Sequence, residues 1–335
     1  MTCQSPLTRV SRLDAATLQA EISAHLRNTQ MSILLSQGVY ALCIPGHVPI
    51  PWPSDSPRAG VKPAFYEETT TLVLSYLLAR FRPATFFDVG AAVGYFSRVA
   101  ASNKHVATRA HAFEMRPEQV SRLREILGND VFGDKVSIHL EAVSDRDDPQ
   151  ALVWLARSLL FEQHPAPGAY REAWWRRLKF WWRQDRTREL SAATIPITSV
   201  DGFVQRASAR PDIIKIDVEG YEGRVLLGAR KTLTIRRPFV LLELHQDKKL
   251  RFGFSRTEVT DFLFGLGYEA LFFTDHQIKA NCQVLRVGPG NQLLGRQETD
   301  LLLFAHPDYC IDRRLFNIDP ASRLEARAPR DNAGR

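Results

Sequence analysis

Short apolar runs alternate with amphipathic stretches through the middle of this chain, and no other feature constrains the fold as strongly. "TFFDVG" leads into "YFSRVAASN", "RAHAFEM" into "PEQVSRLREIL", and "VSIHLEAVSD" reads as a third strand. The pattern resumes with "PDIIKIDVE", a helix through "GRVLLGARKTL", the strand "PFVLLELH", a helix through "SRTEVTDFLFGLG", and the late strands "YEALFFT" and "DLLLFAHP". Nearly continuous apolar runs belong to strands buried on both faces, and strand–helix alternation produces parallel crossovers. The expectation is an α/β, doubly wound sheet.

Residues 1–62 pair a helix-like start with "IPGHVPIPWPSDSPRAGVKP", whose prolines exclude both helix interior and central strand. They read as an N-terminal extension and linker. The main domain is expected over 63–310 and a polar tail over 311–335. The alternation breaks between about 146 and 193, which reads as an insertion.

With 335 residues, 44% hydrophobic and 24% charged, the chain can bury a sizeable core. Its net charge of +7 draws it toward anions, yet no basic stripe runs along it, so a nucleic-acid partner is not expected. Cys3, Cys43, Cys282 and Cys310 show no CxxC spacing and give neither a zinc knuckle nor a disulfide framework. No stretch offers the ~20 uncharged apolar residues of a bilayer span, and the first residues lack a secretory apolar core. A cytoplasmic location is expected, with a peripheral contact at the inner membrane face left open.

In "FFDVGAAVGYFS" a strand ends at Asp88 and turns through Gly90 and Gly94 into a helix. Glycines let backbone approach a ligand closely, and the helix start offers free N–H groups. Glu114 closes the next strand, twenty residues past Gly94, where a carboxylate can accept from both hydroxyls of a ribose. The spacing is DxGxxxG rather than GxGxxG. NAD(P) and S-adenosylmethionine compete for such a cradle, and the missing third glycine favours the methyl donor. Gly90 and Gly94 would then line its methionine part, Asp88 would hold its ammonium, and Glu114 its ribose. Its adenine would lie near Ala142, Val143 and Ser144. Asp88 as a helix cap and Glu114 as a solvated strand end are the plainer alternatives.

"FFDVGAAVGYFS", "AFEMRPEQVSRL", "EAVSD", "SVDGF", "IIKIDVEGYEGRVLLGARKTL" and "PFVLLELH" occur in an order that resembles the FkbM-type methyltransferase family. The resemblance spans about residues 84–245 apart from the insertion, and "IKIDVEGYE" is its most specific piece. It implies a Rossmann-like, seven-stranded class I methyltransferase fold and S-adenosylmethionine-dependent methylation of a hydroxyl on a glycan or secondary metabolite. One departure is Ala92, where such families usually carry Asn. An oxidoreductase and a non-catalytic, membrane-associated protein of the same fold are the alternatives.

Ligands of open α/β sheets sit beyond the carboxyl ends of the strands, which places Asp217 and Glu219 beside the cofactor or acceptor. Gly220 permits the turn, and Glu222 suits the positive end of the next helix. Glu243 and His245, two apart, share one side of a strand. His245 titrates nearest neutrality and is the first candidate for the base that takes a hydroxyl proton, with Glu243 and Asp217 beside it. These oxygen-rich groups would suit Mg or Mn, but no tight ligand spacing demands an ion and none is expected.

The insertion carries "REAWWRRLKFWWRQDRTR", where Trp174, Leu178 and Trp181 share a helical face. That face suits packing on the protein's own core, a lid that stacks on a sugar ring, or contact with anionic lipid. Trp174 and Trp181 are the substrate candidates here. A lipid-linked glycan acceptor would satisfy both functional options.

Overall fold

The computed structural model describes residues 13–28, 67–103, 106–128, 132–156, 159–161, 191–247, 249–250, 253–276 and 281–311, with short strands at 8–9, 32–36, 39–43 and 50–52. The segment bearing Trp174 and Trp181, the linker 53–66 and the tail from 312 lie outside the described residues.

Eight strands form the central sheet: β1 (Thr85–Val89), β2 (Arg109–Glu114), β3 (Val136–Leu140), β4 (Ile213–Ile216), β5 (Phe239–Leu244), β6 (Glu269–Phe273), β7 (Val284–Val287) and β8 (Asp300–Ala305). Their order is β7-β6-β8-β5-β4-β1-β2-β3. Strands β3, β2, β1, β4 and β5 run parallel, while β8 lies antiparallel between β5 and β6. The expected seven strands become eight because β7 adds an antiparallel edge to β6.

Consecutive strand residues point to opposite faces, so Phe86 enters one core and Phe87 the other. On the Phe86 face pack α1 (Ala15–Asn28), α2 (Glu68–Phe81), α3 (Tyr95–Ala101) and α4 (Pro117–Gly128), through Ile22, Leu74, Val99 and Leu123 among others. On the Phe87 face pack α5 (Val200–Ala207), α6 (Glu222–Leu227), α7 (Arg230–Ile235) and α8 (Arg256–Gly265), through Phe203, Val225, Leu233 and Leu263. Each fully buried Leu or Phe contributes about 1.5–3 kcal/mol relative to exposure. Burial on both faces is what the continuous apolar runs required.

Two elements differ from the sequence reading. "VSIHLEAVSD" is not one strand, because β3 ends at Leu140 and Ala142–Ser144 leaves the sheet to pair in parallel with Ile197–Ser199. "GRVLLGARKTL" is likewise two helices, α6 and α7. A Cβ on Gly228, between them, would lie 2.1 Å from the Ser144 carbonyl oxygen, so the helix break and the diverted strand pack on each other.

At the β3 edge, His111 Nδ1 and His139 Nε2 lie 3.1 Å apart, and His139 stacks on Phe113 at 4.8 Å between ring centroids. Burial, with His111 beside it, pushes the His139 imidazole down to about 4. The folded chain thus resists a proton that the unfolded chain accepts near 6.5. Stability from this pair is complete above that value and drains away as pH falls toward 4. His139→Phe keeps the ring stack and removes the titration. The loss of thermal midpoint between about pH 7.5 and about pH 5 should therefore be smaller in the variant, measured by circular dichroism; an unchanged loss would contradict this.

Candidate active site

The chain turns at the tip of β1 under a tight constraint. Gly90 and Ala91 both donate their N–H to the Phe113 carbonyl, at 3.0 and 2.9 Å, and the Asp217 N–H donates to Val89 O at 3.0 Å. Gly90 has φ +85°, and a Cβ there would sit 1.9 Å from the Asp217 carbonyl oxygen. Only glycine fits, because two strand-end turns cross at that point.

Ala92 follows in the left-handed region, φ 48°, and donates its N–H to Glu114 Oε2 at 2.9 Å. The Asn usual in the resembling family tolerates this conformation better than alanine does, so the departure seen in the sequence leaves the turn under left-handed strain. Glu114, buried at the end of β2, also accepts from the Arg116 N–H and Nε, each at 2.9 Å.

A cleft of about 240 Å³ opens here. Gly90, Glu114, Ala142, Val143, Ser144 and Asp217, which the sequence reading had placed around a cofactor, contribute to its wall together with Ala92 and Glu219. The reading missed Arg116 and Tyr221, also on the wall, although both lie within the segments "AFEMRPEQVSRL" and "IKIDVEGYE".

Two expected cradle residues lie elsewhere. Asp88 is completely buried below the cleft, where its Oδ2 accepts from Ser97 Oγ at 2.7 Å and its register partner on β4 is Lys215. It lies just below Val89 and Gly90 along the strand, outside the cleft wall; burial raises its carboxyl, against the pull of Lys215. Gly94 starts α3 with φ +75°, and a Cβ would meet Leu123 at 2.2 Å, so this glycine serves helix packing. Both correct the expectation of ligand contact.

Beyond the cleft the tips of β4 and β5 gather the acid–base groups. Lys215, buried over the Phe96 ring, places Nζ 3.2 Å from Asp217 Oδ2. Burial would raise the Asp217 carboxyl, but Lys215 and His245 hold it below the usual carboxylate range. Burial and the neighbouring Asp217 and Glu67 push Glu243 well above that range. His245 is 2% exposed; its Nδ1 donates to Glu222 Oε1 at 2.5 Å, and its Nε2 lies 3.6 Å from Glu219 Oε2 and 3.9 Å from Glu243 Oε1. Burial would lower this imidazole, yet the Glu222 contact raises it.

Asp217, Glu243 and His245 thus come together as the sequence grouped them. Glu222 is the residue that sequence reading undervalued. Assigned only to a helix start, it is fully buried and also accepts from the Gly220 N–H at 3.2 Å. The signal lay in one more acid beside Gly220, one strand before a lone His. Glu219, φ 52°, and Gly220, φ +111°, make the turn between them, and Lys249 Nζ holds Glu219 Oε2 at 3.0 Å.

A doubly wound sheet of this order, with a glycine turn after β1 and an acid at the tip of β2 on one cleft, defines a Rossmann-like class I methyltransferase fold. The family model described as the methyltransferase FkbM domain matches residues 88–270, over half of the chain, and the chain belongs to that family. No curated protein matches the sequence.

Among solved structures, the chain is similar to the methyltransferase FkbM from Methylobacillus flagellatus KT, at 14% identity and TM-score 0.39, covering 66% of this chain and 43% of that one. It is also similar to the O-methyltransferase from Bacillus cereus in complex with SAH (11% identity, TM-score 0.37, 76% and 86% covered). A methyltransferase from Geobacter sulfurreducens aligns at 14% identity and TM-score 0.34, with 71% and 78% covered. Among the described residues no helix is long and apolar enough to cross a membrane.

Two substitutions at the turn have opposite expected signs. Gly90→Ala should cost ~3 kcal/mol or more, a fall in thermal midpoint of about 6 °C or greater, since backbone must move to admit the methyl group. Ala92→Asn should raise the midpoint by about 1–3 °C by relieving the left-handed strain. Thermal unfolding followed by circular dichroism reads both.

Proposed function

We propose that the protein is an S-adenosylmethionine-dependent O-methyltransferase acting on a hydroxylated small molecule or glycan. Membership of the FkbM family supports methyl transfer, and the single observation that favours this donor is the placement of Glu114. Its carboxylate lies on the cleft wall, anchored by the Ala92 N–H, next to the Gly90 turn that lines the same cleft.

The residues present suit that cofactor. Glu114 accepts from the Ala92 N–H and from the Arg116 N–H, Nε and Nη2, and the two ribose hydroxyls would take the places of the Arg116 guanidinium. Met115, Ala142, Val143 and Ile197 give an apolar floor for adenine, and the ionised Asp217 faces the cleft where a positive sulfur would gain attraction. Bound there, S-adenosylmethionine supplies an electrophilic methyl group.

The chain's own part is to align and dehydrate the acceptor. A hydroxyl brought to the tips of β4 and β5 meets Asp217, Glu243 and His245, where its proton can leave as its oxygen becomes nucleophilic. Alignment and exclusion of water supply most of the gain, and proton removal about 10²–10⁴-fold. The crossing of the two turns at Gly90 brings the cofactor wall and this cluster together without a separate domain. A lipid-linked glycan remains within the proposal, since the Trp-rich insertion is suited to sugar stacking.

Transfer of a radiolabelled methyl group from S-adenosylmethionine into cell extract, followed by identification of the labelled product, tests the reading. A methyl ether is the expected product, and labelled amine or carbon would overturn the oxygen assignment. Glu114→Gln should weaken binding of S-adenosylhomocysteine about 10- to 100-fold by calorimetry, with circular dichroism showing that the variant is folded. Wild-type affinity in that variant would remove Glu114 as the ribose contact.

A further inference from the structure

The carboxylates of Asp217 and Glu243 and the imidazole of His245 each present one ligand atom, all within 4.8 Å of one another. A divalent cation about 2.0–2.2 Å from oxygen and nitrogen ligands spaces neighbouring ligands roughly 3 Å apart and opposite ones roughly 4 Å. Small side-chain adjustments therefore close these three atoms on one ion. Two carboxylates and one imidazole match the harder divalent metals, Mn²⁺ and Mg²⁺, with further coordination positions left open to water or substrate.

The imidazole supplies a second, independent observation. A carboxylate only accepts, so the 2.5 Å contact with Glu222 Oε1 puts the proton on His245 Nδ1. Nε2 belongs to a side chain 2% exposed, and among the described residues it makes no hydrogen bond. It faces oxygens of Glu219 and Glu243 at 3.6 and 3.9 Å. Nε2 is thus a buried polar atom aimed into the carboxylate cluster, at the position a third ligand would take.

The imidazole nitrogen fixed by a buried acid on its far side is also the usual outer support of a metal-bound histidine. Lys215 holds Asp217 Oδ2 at 3.2 Å, and Lys249 holds Glu219 Oε2 at 3.0 Å.

We propose that Asp217, Glu243 and His245 bind a divalent cation of the Mn²⁺/Mg²⁺ type at the mouth of the cleft. On the methyltransferase reading, on which this use of the site rests, the cation polarises the acceptor hydroxyl so that its O–H bond breaks and the proton passes to water. His245 is then a ligand rather than the base, and Glu222 is its positioning residue. The sequence reading weighed Mg or Mn for these groups but expected no ion for want of a tight ligand spacing, since Asp217 and the Glu243–His245 pair are separated by a whole crossover.

The full chain, stripped with EDTA and titrated with Mn²⁺ alone, provides the test by electron paramagnetic resonance of free and bound ion. One Mn²⁺ should bind per chain, and pulsed spectra of the wild-type complex should show coupling to one imidazole nitrogen. His245→Gln and Asp217→Asn should each weaken binding at least tenfold, and Glu222→Gln by about tenfold. Absence of saturable binding below about 1 mM, or bound Mn²⁺ without nitrogen coupling, would overturn the proposal. Calorimetry with S-adenosylhomocysteine in EDTA separates the two readings: binding there with no Mn²⁺ site sinks only the cation, whereas Mn²⁺ binding without nucleoside binding sinks only the cofactor assignment.

Discussion

The Asp217 carbonyl occupies the place where any side chain on residue 90 would begin. Most of the site depends on that contact. Because Gly90 carries no Cβ, the turn after β1 and the turn after β4 can cross at backbone distance, 1.9 Å from where a methyl group would stand. The crossing is reinforced by the Asp217 N–H on Val89 O and by Gly90 and Ala91 on Phe113 O. Three strand tips are thereby locked together, and the cleft wall and the acid–base cluster become parts of one surface.

Below this surface the sheet tolerates an unusual concentration of charge. Asp88 and Lys215 sit side by side on β1 and β4, buried, with Asp217 two residues further along the same strand direction. Burial alone would neutralise Lys215, but Asp217 and Asp88 raise its ammonium instead. Buried pairs of this kind add little net stability and are costly to break, so they fix geometry more than they strengthen the fold. Here the geometry fixed is the direction of the Asp217 carboxylate. The same logic holds at His245, whose ring is oriented by a buried acid on a neighbouring helix.

The sheet was largely legible because apolar runs such as "IIKI" and "FVLLEL" have no alternative to a strand buried on both faces. Glu114 and the β4 and β5 tips were legible for a related reason: polar residues that end such runs fall at the carboxyl edge of the sheet. The reading failed where two segments distant in sequence touch. Asp88 and Gly94 looked like ligand contacts because the motif places them beside the turn, yet Ser97, Lys215 and Leu123 claim them from the other side. The break of the third strand after Leu140 and the split at Gly228 answer each other across the Ser144 carbonyl, and neither partner can be seen from its own local sequence.

What the sequence determined by itself was therefore the set of elements and the edge on which chemistry would fall, because burial on two faces and strand polarity are local consequences of residue type. What only the tertiary structure decided was which side each charged group faces and which groups meet. Glu222 reaches His245 across 23 positions, and Asp217 meets Glu243 across a helical crossover. Strand register and helix packing set those distances, and they are properties of the assembled sheet rather than of any stretch of chain.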